Sequence, residues 1–349
     1  MKLEIVTKEL MLVSSLSVIA FLLAMVLTVV YTDVAYKRKL WKKQRSTSTS
    51  GEKLEVFTKL HASKFRRNIP TMAGIVGVAA ASVVTFGLNL DRGQTWLPLA
   101  ALVGGGAIGL IDDIINIRGN GSGVAGLRSS LKFIMLIVVA GMLGWFFYYK
   151  LGYTTIALPD FLSATEGHSL QLGWWIIPLF VLAVVSTGNA VNISDGLDGL
   201  AGGLLTVSFG TFGVIALMQG NIGIAGFCFT LVGVLLAYLW FNIHPARFFM
   251  GDVGSFAYGT ALGVVAMLTN TLVLLPIIGV LFVIEAGSSL LQLASKRFLH
   301  RKIFKSAPLH HHLEASGWPE EKVTMRFWVI SCVAAFIGLL IALSGGYIS

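Results

Sequence analysis

The sequence predicts an all-α polytopic membrane protein with ten transmembrane helices and both termini outside, on three observations. Hydrophobic residues make up 55% of the 349 and charged residues 12%, with a mean hydropathy of +0.80. A soluble domain is about 25% charged, so this much apolar surface needs lipid as its solvent. The apolar residues gather in runs close to the ~20 that a helix needs to cross the hydrocarbon core, where a helix satisfies its own backbone. Lys and Arg, finally, crowd into alternate connections between those runs.

In chain order the predicted spans are about 9–31, 72–90, 97–111, 131–149, 174–190, 200–218, 222–241, 256–269, 272–294 and 326–344. The first lacks an A-x-A cleavage signal and has its basic run after it, so it reads as an anchor rather than a cleaved signal peptide. The third and eighth are short, either tilted or continuing into a helical loop. Of the 26 Lys and Arg, 22 fall in the connections after odd-numbered spans. Those connections are therefore assigned to the cytoplasm, as loops at about 32–71, 112–130, 189–200, 242–256 and 295–325. The outer connection at 150–173 is mixed in polarity and reads as interfacial, and the stretch 45–55 reads as a mobile polar loop. No internal repeat appears, and 1–349 reads as one integral membrane domain. The net charge of +9 is then a topology signal and a surface for membrane lipid, with no nucleic acid as partner. Cys228 and Cys332 sit in apolar runs, which excludes a disulfide framework and a Cys-rich metal site. The GxxxG spacings Gly105/Gly109, Gly199/Gly203 and Gly259/Gly263 read as close helix packing.

Carboxylates at membrane edges are costly and mark functional sites. Asp112 and Asp113 end the run GGGAIGLIDD, where each raises the other's pKa unless a cation is near. Asn189, Asn192, Asp195 and Asp198 recur every third residue; on a helix they form one stripe able to bind a polar ligand and a cation. Asn242, Phe249 and Asp252 share a third segment, where Gly251 and Gly254 permit close approach to a ligand. Asp252 is a hard oxygen ligand suited to Mg²⁺, or an N-cap of the next span. His310, His311 and His312 are consecutive, so they splay apart on a helix and suit phosphate contacts better than a zinc site. There is no G-x-x-x-x-G-K-[ST] loop, no G-x-S-x-G elbow and no H-E-x-x-H pair. Asp, His and basic residues on one membrane face point to Mg²⁺-dependent chemistry on a phosphorylated substrate.

The segments NAVNISDGLDGLA, FFMGDVGS and APLHHHLEASGWPE closely resemble the polyprenyl-phosphate N-acetylhexosamine-1-phosphate transferase superfamily. The resemblance extends to Pro70-Thr71-Met72, the Asp pair, Lys132, Asn242, Glu285 and Gln292. The three His followed by Gly317-Trp318-Pro319-Glu320 are similar to the branch acting on UDP-N-acetylmuramoyl-pentapeptide rather than UDP-N-acetylglucosamine. Arg66, Ala73 and Asn116 depart from the usual residues. The resemblance implies a homodimer in the bacterial cytoplasmic (inner) membrane with its active site on the cytoplasmic side. It implies transfer of the phospho-sugar-pentapeptide from UDP to undecaprenyl phosphate, releasing UMP. Mg²⁺ would be held by Asp252 with Asp195 near the same ion. Asp112 or Asp113 would take a proton from the lipid phosphate or hold it, while Lys132 and one of His310–His312 offset phosphate charge. Thr71, Asn189, Asn192, Asp195, Asp198, Asn242, Phe249 and Gln292 would bind substrate, with Phe249 able to stack on uracil. The alternatives are the same chemistry on UDP-N-acetylglucosamine, or an ion-coupled transporter, whose acids would lie near the midplane and on both faces.

Overall fold

The structure is a computed structural model that describes residues 2–41, 68–118, 126–160 and 169–347. The loop at 45–55 and Arg66 lie outside the described residues. Twelve helices follow one another among those described: α1 (Lys2–Lys37), α2 (Gly74–Leu88), α3 (Trp96–Arg118), α4 (Ser129–Tyr149), α5 (Ile176–Ser194), α6 (Leu200–Met218), α7 (Ile222–Asn242), α8 (Gly251–Leu268), the short α9 (Leu275–Ile278), α10 (Val280–Ala294), the short α11 (Leu309–Glu314) and α12 (Glu320–Ser344). Between α4 and α5 the outer segment forms a two-stranded antiparallel hairpin, β1 (Thr155–Ala157) with β2 (Ser169–Gln171).

Eight of these helices are long and apolar enough to cross a membrane, and a bent pair, Leu272–Ile278 with Val280–Leu299, makes a ninth. The helix over the second predicted span, α2, has 15 residues. The bend in the ninth is 78°. Pro276 stands in the first turn of α9 and Gly279 at the break, the residue types that interrupt a helix.

Helix α8 is the axis of the bundle, packed mainly on α3 and α5 and almost wholly buried. Small residues let it approach that closely. A Cβ on Gly109 would lie 2.0 Å from the Asp252 carbonyl oxygen, and one on Gly105 2.7 Å from that of Phe256. The GxxxG pair of α3 is thus a packing face, as its spacing predicts. Around this centre α1 and α6 pack on α7, α4 on α5, and α12 on α6.

Three boundaries differ from the sequence reading. Helix α3 runs seven residues past 111, so the Asp pair lies inside a helix and not at its end. Helix α8 begins at Gly251, which puts Asp252 in its first turn. Asp252 does not cap it; Asp113 on α3 does, its Oδ2 accepting the Val253 N–H at 3.0 Å. Helix α5 stops at Ser194, Asp195 leaves helical geometry (φ −80, ψ 56), and Gly199 takes φ +75 before α6 starts. The predicted stripe is therefore broken: Asn189 and Asn192 stay on α5, while Asp195 and Asp198 belong to the turn.

Candidate active site

Three helices bring charged side chains to one point. From α3, Asp112 is almost sealed, at 1% exposure. Its Oδ1 accepts the Leu127 N–H at 2.6 Å, and its Oδ2 accepts the Asn116 amide at 2.8 Å. From α4, the Lys132 ammonium donates to that same Oδ2 at 3.3 Å and to Asp252 Oδ2, on α8, at 3.2 Å. Asp113, next to Asp112, is held by the α8 terminus. Asn116 is thus a direct partner of Asp112.

The backbone around this point is woven from two loops. Phe249 N–H donates to Pro70 O at 2.8 Å, Ala73 N–H to Phe249 O at 3.0 Å and Gly74 N–H to Met250 O at 2.9 Å. Thr71, 2% exposed, is anchored through its own backbone, N–H to Leu40 O and C=O from the Tyr31 hydroxyl. Gly251 adopts φ +75, and a Cβ there would sit 2.6 Å from Asp113 Oδ2. Only glycine fits this join. Phe249 is half-buried beside it. On α5, Asn192 donates to Ser255 Oγ at 2.9 Å, fastening the end of that helix to the first turn of α8. Asn189 donates to Val185 O within its own helix.

Other predicted site residues shape loops. Asn242 accepts the Gly199 N–H at 2.8 Å and donates to Phe248 O at 2.8 Å. Asp198 Oδ2 accepts the Ala246 N–H at 3.0 Å and lies 2.9 Å from His244 Nδ1. Its backbone N–H donates to Glu320 Oε1 at 2.6 Å. Gln292 grips the loop before the histidines, accepting from Ile303 and Phe304 N–H and donating to Phe304 O. The three histidines take separate partners, although the His310 and His311 rings touch edge to face with centroids 4.1 Å apart. His310 Nδ1 meets Glu285 at 2.7 Å, His311 Nδ1 meets Glu314 at 2.8 Å, and His312 Nδ1 accepts the Lys305 N–H at 3.1 Å. The partners His244, Glu320 and Glu285 were not among the predicted site residues; Glu285, an acid inside an apolar run, carried the clearest signal.

Two places suit a divalent cation. Among the described residues the only group of three His, Cys, Asp or Glu ligand atoms within 4.8 Å of one another is Asp198, His244 and Glu320. Its oxygens are already engaged in holding three segments together. Asp112 and Asp252 instead converge on a single cationic centre, the Lys132 ammonium, so their hard oxygens can share one cation. Mg²⁺ takes one or two carboxylates and completes its shell with phosphates and waters, and this donor set fits it. Along the bundle, α5, α8, α9 and α10 line an open apolar groove of about 410 Å³, with Leu179, Leu182, Leu262, Leu275, Phe282 and Leu290 among its walls.

An all-α membrane bundle that brings Asp112, Lys132 and Asp252 from three helices to one point has the build of a membrane-embedded enzyme. Comparison with known proteins makes this specific. The family model described as glycosyl transferase family 4 matches residues 95–270. The chain is 37% identical over 344 residues to the phospho-N-acetylmuramoyl-pentapeptide-transferase of Chloroflexus aggregans, covering 95% of this chain and 89% of the relative. It is 39% identical over 268 residues to the protein of that name from Caldanaerobacter subterraneus subsp. tengcongensis, covering 77% and 82%. For Desulforamulus reducens the figures are 40% over 278 residues, covering 78% and 81%. The chain belongs to glycosyl transferase family 4, in its phospho-N-acetylmuramoyl-pentapeptide-transferase branch.

Proposed function

We propose that this chain transfers phospho-N-acetylmuramoyl-pentapeptide from UDP-N-acetylmuramoyl-pentapeptide to undecaprenyl phosphate, releasing UMP and making the first lipid intermediate of peptidoglycan. The observation that carries the reading is the meeting of Asp112, Lys132 and Asp252 from three helices, in a chain whose relatives bear the transferase name. The fall of Lys and Arg in the connections at the site's end of the bundle supports a site on the cytoplasmic face of a bacterial inner membrane. The resemblance adds a homodimer.

Both reactants are anionic, so the protein must offset repulsion and hold the lipid phosphate in line with the sugar-side phosphorus. Asp252, with Asp112 beside it at the Lys132 ammonium, would hold Mg²⁺, which would supply charge neutralisation on the diphosphate and the leaving UMP. Lys132 offsets phosphate charge from the side of α4. Asp112 or Asp113 accepts a proton from the lipid phosphate or holds it; deprotonation matters less than position, because such a phosphate is mostly ionised near pH 7. Phe249 stacks on uracil, while Asn189, Asn192, Asp195, Asp198, Asn242, Gln292 and Thr71 build the wall of the nucleotide-sugar site. The groove between α5 and α10 takes the start of the prenyl chain.

Transfer of radiolabel from the nucleotide sugar into butanol-extractable lipid tests this. Label from UDP-N-acetylmuramoyl-pentapeptide is expected to move with Mg²⁺ and stay in water without it. Preferential transfer from UDP-N-acetylglucosamine would replace the proposed donor.

A further inference from the structure

Glu285 has no part in the scheme above, yet it is fully buried on α10 within the bent apolar pair. A carboxyl group there is costly unless it is well bonded. Both of its oxygens are used on one residue. Oε1 accepts the backbone N–H of His310 at 3.1 Å, and Oε2 lies 2.7 Å from His310 Nδ1. These two contacts fix the ring in place, and His310 is itself 0% exposed. The other ring nitrogen, Nε2, is buried with no hydrogen-bond partner. It faces Gly196, where a Cβ would stand 2.3 Å from it. Gly196 directly follows Asp195 in the turn that ends α5. A buried imidazole nitrogen held so firmly and left unsatisfied needs a partner from outside the chain.

We infer that Glu285 is a positioning residue that holds His310 by Nδ1 and delivers Nε2 to a phosphate oxygen of the substrate beside Asp195 and Gly196. Carboxylate–imidazole pairs work this way: the acid fixes the orientation of the ring and balances the charge of the imidazolium. With Nδ1–H on Glu285, Nε2–H donates to the phosphate. The ring's orientation is fixed before the substrate arrives, and the turn at Gly196 must give way for a phosphate oxygen to reach the buried Nε2. The inference rests on the phosphoryl-transfer reading of the site.

Four variants test it: Glu285→Gln, His310→Ala, the two combined, and Gly196→Ala, which crowds Nε2 from the opposite side without touching Glu285. Glu285→Gln is expected to lower kcat about 100-fold while the KM values of both substrates stay within about twofold. The double variant is expected to be no slower than His310→Ala, because the two residues act as one unit. Gly196→Ala is expected to reproduce the kcat loss even if Glu285→Gln fails to elute as a folded species. In protein labelled with ¹⁵N-histidine, the ring signal lost in His310→Ala is expected to shift on addition of UMP in the native chain and not in Glu285→Gln. A Glu285→Gln variant with native kcat, or a double variant whose loss is the product of the single losses, would overturn the inference. A native chain that moves no label into lipid would instead end the transferase reading, and the UMP response of the ring would still decide whether Glu285 positions it.

Discussion

Lys132 on α4 and Asp252 on α8 meet with Nζ 3.2 Å from Oδ2, across 120 residues of chain. The same ammonium is 3.3 Å from Asp112 on α3, so one cation ties two carboxylates from different helices. The two acids are 2% and 14% exposed in their side chains. Without the lysine they would repel each other in a poorly hydrated place. Lys132→Met is therefore expected to lower the rate of transfer by about two powers of ten and to lower the melting temperature in detergent. Added Mg²⁺ is expected to restore the melting temperature, by binding the same carboxylates, but not the rate. Scanning fluorimetry beside the radiolabel assay checks both, and a rate recovered by Mg²⁺ would remove Lys132 from the reaction.

Two acidic places compete for the name of metal site, and their bonding separates them. Asp198 ties the turn after α5 to the loop at 244–246 and to the start of α12. Asp198→Asn is expected to cost about 1–3 kcal/mol of stability, the usual loss when a buried acceptor is broken, with the Mg²⁺ concentration for half-maximal rate unchanged. Asp252→Asn is expected to keep the fold and raise that concentration at least tenfold, or abolish turnover. Mg²⁺ titrations of the two variants decide. A shift confined to Asp198→Asn would move the ion to the group formed with His244 and Glu320.

How far the sequence reaches is visible in these same residues. Apolar runs mark the helices because lipid leaves the chain few other structures, and a costly acid inside such a run marks itself. Asp112, Asp113 and Asp252 were legible on that ground. Spacing does not reveal where a helix stops, so the stripe from Asn189 to Asp198 looked continuous; the turn at Asp195 and the left-handed Gly199 are held by Asn242 from 43 residues away. Nor does local pattern show that Gln292 and Asn242 bind backbone, or that Glu285 finds His310 25 residues later. Such contacts are set by the packing of distant segments. The bend at Gly279 had a local sign in Pro276, but the apolar run passes through it without interruption.

His311 gives the histidine segment a pH response. Burial, and then the neighbouring His310, push its pKa below the usual 6.5, against the pull of Glu314. As pH falls through 6.5 the unfolded chain takes up a proton that the folded ring refuses. This residue's contribution is thus complete above 6.5 and is lost as pH falls through the depressed folded value. The melting temperature is expected to drop more steeply between about pH 7 and 5 in the native chain than in His311→Gln. Parallel slopes in the two proteins would show that His311 does not set the response.

The apolar groove supplies the sharpest test of where the lipid lies. Gly287 on α10 lines it, and a Cβ there would meet nothing within 4 Å. A larger side chain can therefore enter the groove without disturbing the helices around it. Gly287→Phe takes up space within the ~410 Å³, and each prenyl CH₂ it displaces forfeits about 0.8 kcal/mol. Two displaced groups would raise the KM for undecaprenyl phosphate about tenfold. The KM for the nucleotide sugar is expected to stay as it is, since the charged site lies at the helix ends. With a short-chain polyprenyl phosphate that does not reach Gly287 the difference should vanish. Equal effects on long and short acceptors would place the prenyl chain on another face of the bundle.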